Sequence, residues 1–477
     1  MNKEPAIDRM SSTELVDLFK RQRENTRRLA LSTAKERKDK LKRMLVYLLR
    51  HAGKAEQAVY LDLKKPAHEA RISEILTLTT ELRYHIKHID RWLKPHQVSN
   101  PLFALGTQNY IQYEPKGTSL IISPWNYPIN LALKPLIYAI SAGCTAFIKP
   151  SEYAPNSAAF VRELVRNVFT MDEVSVVEGD KEVAEELLEL PFDHIFFTGS
   201  PQTGKKVMAA ASKHLSSVTL ELGGKSPAVI DNTADLVATA RKIVWAKCIN
   251  SGQSCIAPDY LLVQRDVLDR CIVALKNSIQ EMFNPEGESI RRSTDYGRII
   301  NGNHFERLRG LYQDAIENGA NVEAGGNFDE ADLFIEPTLL TDISLSMRLM
   351  KEEIFGPLLP ILPFDTISEA IDIIRSIEKP LGVYIHSRDS GNIEQILRQT
   401  SSGSVLINEV LMQSQHPEIP FGGIGPSGAG RSNGFYGFTE FSNPKGVIER
   451  KVGSLKFLYP PYTERTQKLL GWIQRFL

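Results

Sequence analysis

Residues 250–255 read NSGQSC, and Cys255 in that run could serve as a nucleophile. A thiol with an ordinary pKa of ~8.5 is only a few per cent thiolate at neutral pH, so a working nucleophile needs a dipole, a cation or a base beside it. No histidine stands near it in the sequence, which leaves a Cys-His dyad to His194 or His416 through space. A small apolar filler is the competing reading, because cysteine is among the most buried residue types. Glu221, in TLELGGKSP, lies between leucines at the end of an apolar strand and just before two glycines. Unless it faces outward, a carboxylate there is desolvated, and its pKa rises toward the range useful to a general base. Asn126, in ISPWNYP, is held between Trp125 and Tyr127 with prolines beyond. It offers a fixed amide dipole for a developing oxyanion, or else an ordinary turn asparagine.

Two other stretches suit a nucleotide. HIFFTGSPQTGKKVMAAA reads as a strand, a turn bounded by Gly199 and Gly204, and a helix. Such a turn aims backbone N–H groups and the positive end of a helix at a pyrophosphate, although the central glycine of the usual dinucleotide fingerprint is missing. TAFIKPSE ends a strand with Lys149, Ser151 and Glu152. The acid could accept from an adenosine ribose and the lysine could meet a ribose hydroxyl or a 2′-phosphate, so the pair points both ways; both are otherwise surface charges. Cys248 and Cys255 have no matching Cys or His cluster, and no metal site is expected.

The elements that position these residues follow from pattern. The 477 residues exceed what one core holds, so at least two domains are expected. Lys+Arg and Asp+Glu balance at 57 each, which leaves no field to gather nucleic acid. The charged run KERKDKLKR at 35–43 leads into Leu41, Met44, Leu45, Leu48 and Leu49, a solvated helix face with a buried stripe. Only four cysteines, an N-terminus without a secretory pattern and no long apolar stretch predict a cytoplasmic protein. The first hundred residues read as successive helices, and QNYIQYEPKGTSLIISPWNYP as a β-hairpin or an extended arm leading into a strand. Strand and helix then alternate to about residue 222 and again from 227 to about 410, which predicts two parallel sheets with the motifs at strand carboxyl ends. PFGGIGPSGAGRSNG at 420–434 is a loop with unusual backbone needs.

In this order the motifs SPWNYP, KPSE, FTGSPQTG, LELGGKSP, NSGQSCIAPDY, EEIFGP and PFGGIGPSGAGRSNG resemble the aldehyde dehydrogenase superfamily. The CIAPDY run and the LKFLYPPYTER tail look most like its class 3 branch of fatty and aromatic aldehyde dehydrogenases. The resemblance implies an α/β, aldehyde dehydrogenase-like fold: a variant Rossmann cofactor domain, a catalytic domain and a small β oligomerisation arm. Residues 1–98 and 120–222 would bind NAD(P), 223–418 would form the catalytic domain, 99–119 and 419–450 the arm and bridge, and 451–477 a tail. Cys255 would attack the aldehyde carbon, Asn126 hold the oxyanion, and Glu221 activate water to hydrolyse the thioester. Cofactor contacts would come from Trp125, Lys149, Ser151, Glu152, Gly199, Ser200, Gly204, Leu222, Glu353 and Phe355, with NAD or NADP accepted.

Glu221 implies a free acid as product, whereas a semialdehyde or coenzyme A-dependent acylating enzyme and a non-catalytic protein on the same fold are the alternatives. The tail carries Leu469, Leu470, Trp472, Ile473, Phe476 and Leu477 on one face of a predicted helix. That face would dock on its own core or a partner, cover the substrate entrance, or rest on a membrane surface. A homodimer built through the arm and an apolar funnel for long-chain or aromatic aldehydes complete the expectation.

Overall fold

Ser11 and Thr33 each accept an N–H from the glutamate three residues on and receive its carboxylate in return, two capping boxes that start long helices. Helices Ser12–Ala30, Ala34–Arg50, Ala52–Leu63 and Thr77–Trp92 fill most of the first hundred residues of the computed structural model, which describes residues 10–101, 104–456 and 459–475. In the second helix Leu41, Met44 and Leu48 are buried, whereas Leu49 is turned off the stripe and half exposed. A short helix, Ala67–Ala70, runs into a π-helical turn, Arg71–Leu76, and on into Thr77–Trp92 without a break.

The first sheet orders its strands Gly428–Ala429, Ser217–Glu221, His194–Thr198, Thr118–Ile122, Thr145–Lys149 and Val174–Val176. All neighbours are parallel except the first pair. The second sheet runs Asn321–Ala324, Thr338–Thr341, Leu358–Phe364, Tyr260–Gln264, Pro227–Ile230, Gly382–His386 and Ser404–Ile407, again parallel but for its first pair. Helices on each sheet bury separate cores, one around Ile121, Leu133 and Phe196 and another around Leu261, Ile361 and Tyr384.

A hairpin at Pro115-Lys116-Gly117 does not form. Thr118–Ile122 is buried nearly throughout and takes parallel partners inside the first sheet. Thr107–Pro115 is partly exposed and pairs antiparallel with His96–Gln97 and with Ser442–Arg450, which is the extended-arm alternative. The glycine-rich segment divides its duties: Gly428–Ala429 completes the first sheet, and a Cβ on Gly428 would stand 2.4 Å from the Leu220 carbonyl oxygen. The tail helix Glu464–Gln474 has no buried residue, so it is not docked into its own core. Phe476 and Leu477 of its predicted face lie outside the described residues. Among the described residues no helix is long and apolar enough to cross a membrane.

Candidate active site

The turn before Cys255 is the most constrained backbone of the site. Asn250, Ser251 and Gly252 take φ values of 52°, 52° and 77°, three left-handed residues in a row. A non-glycine residue in that region costs roughly 1–3 kcal/mol and persists only where its surroundings over-determine it. Here Asn250 Nδ2 donates to the carbonyls of Asn126 at 2.9 Å and Gln253 at 3.0 Å, while the Asn250 N–H donates to Glu69 at 2.9 Å. Gln253 Nε2 donates to the carbonyls of Asn250 and Arg298, both at 2.9 Å, and its Oε1 accepts the Ile300 N–H. Gly252 admits no side chain, because a Cβ would stand 2.3 Å from the Gly356 carbonyl oxygen.

Asn126 is buried just after Thr118–Ile122 and donates Nδ2 to the Gln253 carbonyl at 3.1 Å. Its own carbonyl accepts from Lys65 Nζ at 2.9 Å. Lys65 is fully buried, 3.4 Å from Glu74 Oε1 and 4.1 Å above the Tyr127 ring, and Glu74 Oε2 accepts the Asn130 N–H at 2.6 Å. Burial pushes the pKa of Glu69 up to about 7. Sequence reasoning missed Lys65, Glu69 and Glu74, since nothing but their burial distinguishes them from the charges of any helical surface.

Cys255 is half-buried in a cavity that opens to solvent and is lined by Tyr127, Leu131, Tyr138, Leu222, Trp245 and Phe421, with Glu221, Lys134 and Ser432. Burial raises the pKa of the thiol, and the carboxylates of Glu353 and Glu221 raise it further, while the N–H groups of Cys255 and Ile256 pull it down. Neither histidine left open for a Cys-His dyad takes that part among the described residues. His194 is buried against Ser217 and Phe441, and His416 turns Nδ1 to the Glu418 N–H. The dipoles that favour a thiolate are therefore those of the backbone.

Glu221 is 6% exposed, which removes the outward-facing reading. Its Oε1 accepts from Ser432 Oγ at 2.8 Å, and Oε2 has no hydrogen-bond partner among the described residues. Burial pushes its pKa up to about 8, against the pull of the Ser432 hydroxyl and of the Lys134 and Arg431 charges. The first of the two glycines after Leu222 admits Glu353: a Cβ on Gly223 would stand 1.9 Å from Glu353 Oε2. Burial, with Asp259 beside it, pushes Glu353 up to about 8. Lys225 donates to the Leu349 carbonyl at 2.7 Å, and Asp259 accepts the Ile354 N–H at 2.9 Å, which fixes the loop. Phe355 comes next at φ 51°, its ring perpendicular to that of Trp125 at 5.5 Å.

At the other end of the first sheet's mouth Lys149 Nζ pairs with Glu152 Oε2 at 2.9 Å, and Ser151 Oγ accepts the Tyr153 N–H. Ser200 caps the helix Pro201–Ser212 by accepting the Thr203 N–H. The Gly199 N–H already donates to the Glu221 carbonyl at 3.1 Å, so it is not offered to a phosphate. Gly204 makes room for Leu222, whose Cδ2 would lie 2.8 Å from a Cβ there. The buried hydroxyls of Ser123 and Thr198, at the carboxyl ends of adjoining parallel strands, have no partner among the described residues. Unpaired donors at that position fit a dinucleotide, which lies across such strand ends.

The sequence model of the aldehyde dehydrogenase family matches residues 6–447. The chain belongs to the aldehyde dehydrogenase family. It is 40% identical over 442 residues to the putative aldehyde dehydrogenase AldX of Bacillus subtilis (strain 168), covering 93% of this chain and 99% of that protein. Identity to aldehyde dehydrogenase family 3 member A2 of Macaca fascicularis is 40% over 423 residues, 88% of this chain and 85% of the relative. The structure of Staphylococcus aureus AldH in its substrate-bound state is similar with a TM-score of 0.91 at 38% identity, covering 96% of this chain and 99% of that one. This aldehyde dehydrogenase is of the class 3 branch and oxidises aldehydes with NAD or NADP.

Proposed function

We propose that the enzyme oxidises medium- and long-chain aliphatic or aromatic aldehydes to carboxylic acids, with Cys255 as nucleophile, Asn126 as oxyanion donor and Glu221 as hydrolytic base. The observation that carries this reading is that Cys255 and Glu221 line one cavity and that one carboxylate oxygen of Glu221 has no partner among the described residues. The Cys255 thiolate attacks the carbonyl carbon, and the oxyanion accepts hydrogen bonds from the Asn126 amide and the Cys255 N–H. When bound, the nicotinamide supplies the hydride acceptor. Trp125, Glu353 and Phe355 would hold its ring and ribose; Ser200 and the start of its helix would meet the pyrophosphate, and Lys149 and Glu152 the adenosine ribose. The oxidised carbon is then a thioester on Cys255. Glu221 takes a proton from water, the water oxygen adds to the acyl carbon, the C–S bond breaks, and the acid leaves.

The substrate class is supported by the apolar lining. Lys134, the cation in it, already donates to the Ser414 carbonyl and to Asn433. The test is reduced-cofactor formation with a chain-length series of aldehydes and benzaldehyde, in NAD and in NADP, without coenzyme A. Turnover that strengthens with chain length and is lost in Cys255→Ala supports the reading; a requirement for coenzyme A overturns it.

Four further readings accompany it. The unburied tail helix, with Leu469 40% exposed, supports a cover over the substrate entrance or a contact with lipid. Deleting residues 463–477 should then impair long-chain substrates more than short ones. The open edge of Ser442–Arg450, with Ile448 74% exposed, supports a homodimer through the arm. Four free cysteines support a cytoplasmic setting. The two separate large sheets support residues 1–98 and 120–222 as cofactor domain and 223–418 as catalytic domain.

A further inference from the structure

Asn433 is fully buried at φ 72° and ties together three segments. Its Nδ2 faces the carbonyls of Gln413, His416 and Ile419 at 3.1, 3.2 and 3.1 Å, and its N–H donates to the Tyr138 hydroxyl at 3.1 Å. Its Oδ1 accepts from Lys134 Nζ at 2.6 Å, and the same ammonium donates to the Ser414 carbonyl at 2.8 Å. Lys134 is 7% exposed on helix Asn130–Ala142. A buried ammonium is costly unless its donors are satisfied, so its partners are held to it as firmly as it is to them. The residue next to Asn433 is Ser432, bridged to Phe421 in both directions by backbone hydrogen bonds of 2.6 and 3.0 Å. Its side chain is thereby aimed, and Ser432 Oγ donates to Glu221 Oε1 at 2.8 Å.

We propose that Lys134, Asn433 and Ser432 form the positioning unit of the hydrolytic base: the lysine locks the asparagine, the asparagine locks the turn, and the serine pins one oxygen of Glu221 so that the other is left to take the proton of water. The inference rests on Glu221 being that base. In the step it serves, water gives its proton to Glu221 and its oxygen adds to the thioester carbon. The C–S electron pair then returns to Cys255 as the acid departs. The unit has no part in forming the C–S bond, so its loss should fall on hydrolysis alone.

Full-length Ser432→Ala, Lys134→Met and Glu221→Gln enzymes are mixed rapidly with saturating aldehyde and cofactor, and quenched samples are weighed by mass spectrometry for an acyl group on Cys255. In Ser432→Ala and Lys134→Met the first equivalent of reduced cofactor should form within about threefold of the native rate. Steady turnover should then be about ten- to a hundredfold slower, the range for losing a hydrogen bond to a charged group, with the acyl adduct accumulating as in Glu221→Gln. Equal slowing of both phases without adduct would reduce the unit to a structural one and overturn the proposal. Native turnover in both variants while Glu221→Gln accumulates adduct overturns it and leaves the base assignment standing. Native turnover in Glu221→Gln removes the base assignment itself, and the proposal with it. Ser432→Ala deletes one hydroxyl, and it decides the matter if Lys134→Met does not fold.

Discussion

The side-chain amide of Asn126 and the backbone carbonyl of Gln253 are joined at 3.1 Å, so the proposed oxyanion donor is fastened to the turn that delivers Cys255. The amide has a second N–H to offer, and its position is set by the turn and not by a rotamer of its own. Asn126→Ala removes the donor and leaves the contacts to its carbonyl in place. We expect kcat to fall about 10²- to 10³-fold with a small change in aldehyde KM, measured by steady-state kinetics.

A base with a pKa of about 8 works only when ionised, so the decay of the acyl-enzyme should speed up with rising pH and level off above about 8. The stability effect has the opposite sign. Because the folded pKa is raised above the ordinary 4.5, Glu221 contributes fully to stability below that value and loses the contribution as pH rises through about 8. Glu221→Gln does not titrate, so its Tm relative to native should climb across this window, which thermal unfolding in a series of buffers would read.

Gly223→Ala places a Cβ 1.9 Å from Glu353 Oε2, too close to a carboxylate held on a fixed loop. Glu353 must move, and cofactor affinity should drop at least about tenfold while the Cys255 thiol still titrates normally with a thiol reagent.

Lys149 is engaged by Glu152 at 2.9 Å. In Glu152→Gln the ammonium is released toward a 2′-phosphate and the acceptor for a ribose hydroxyl is weakened. The ratio of kcat/KM for NADP over NAD should rise about tenfold, read from cofactor titrations with one aldehyde.

Lys65→Met leaves Glu74 buried without its cation, which should cost roughly 3–5 kcal/mol and lower Tm. The double change Lys65→Met with Glu74→Leu removes both charges and should recover much of the Tm. Activity should stay low in both, because the Asn126 carbonyl has lost one of its two donors in each and keeps only Asn250 Nδ2.

The features legible in the sequence were local. Paired glycines after an apolar strand announce a close approach, and that approach is real, although nothing nearby in the chain says that the arriving group is Glu353. Alternation in QNYIQYEP identifies a strand but not its partner, which enters from Ser442–Arg450 at the far end of the chain. Gly199 could be placed in a turn, but the use of its N–H depended on which strand ran alongside. Lys65, Glu74, Lys134 and Asn433 were illegible for the same reason: their role lies in contacts between distant segments, and a lysine or asparagine in isolation reads as surface.

The π-helical turn Arg71–Leu76 has a consequence of its own. Such a turn accommodates an extra residue, so it acts as a phase shifter that rotates the helix on its N-terminal side by about 100° against the helix on its C-terminal side. Downstream, Leu78, Leu82 and Ile89 are locked into the core. Upstream, Lys65 grips the Asn126 carbonyl and Glu69 grips the turn before Cys255. The alignment of thiol and amide is thus indexed to a residue count in a helix that supplies none of the reacting atoms. Removing one residue there would work like a slipped gear tooth, leaving the parts intact and the timing between them wrong.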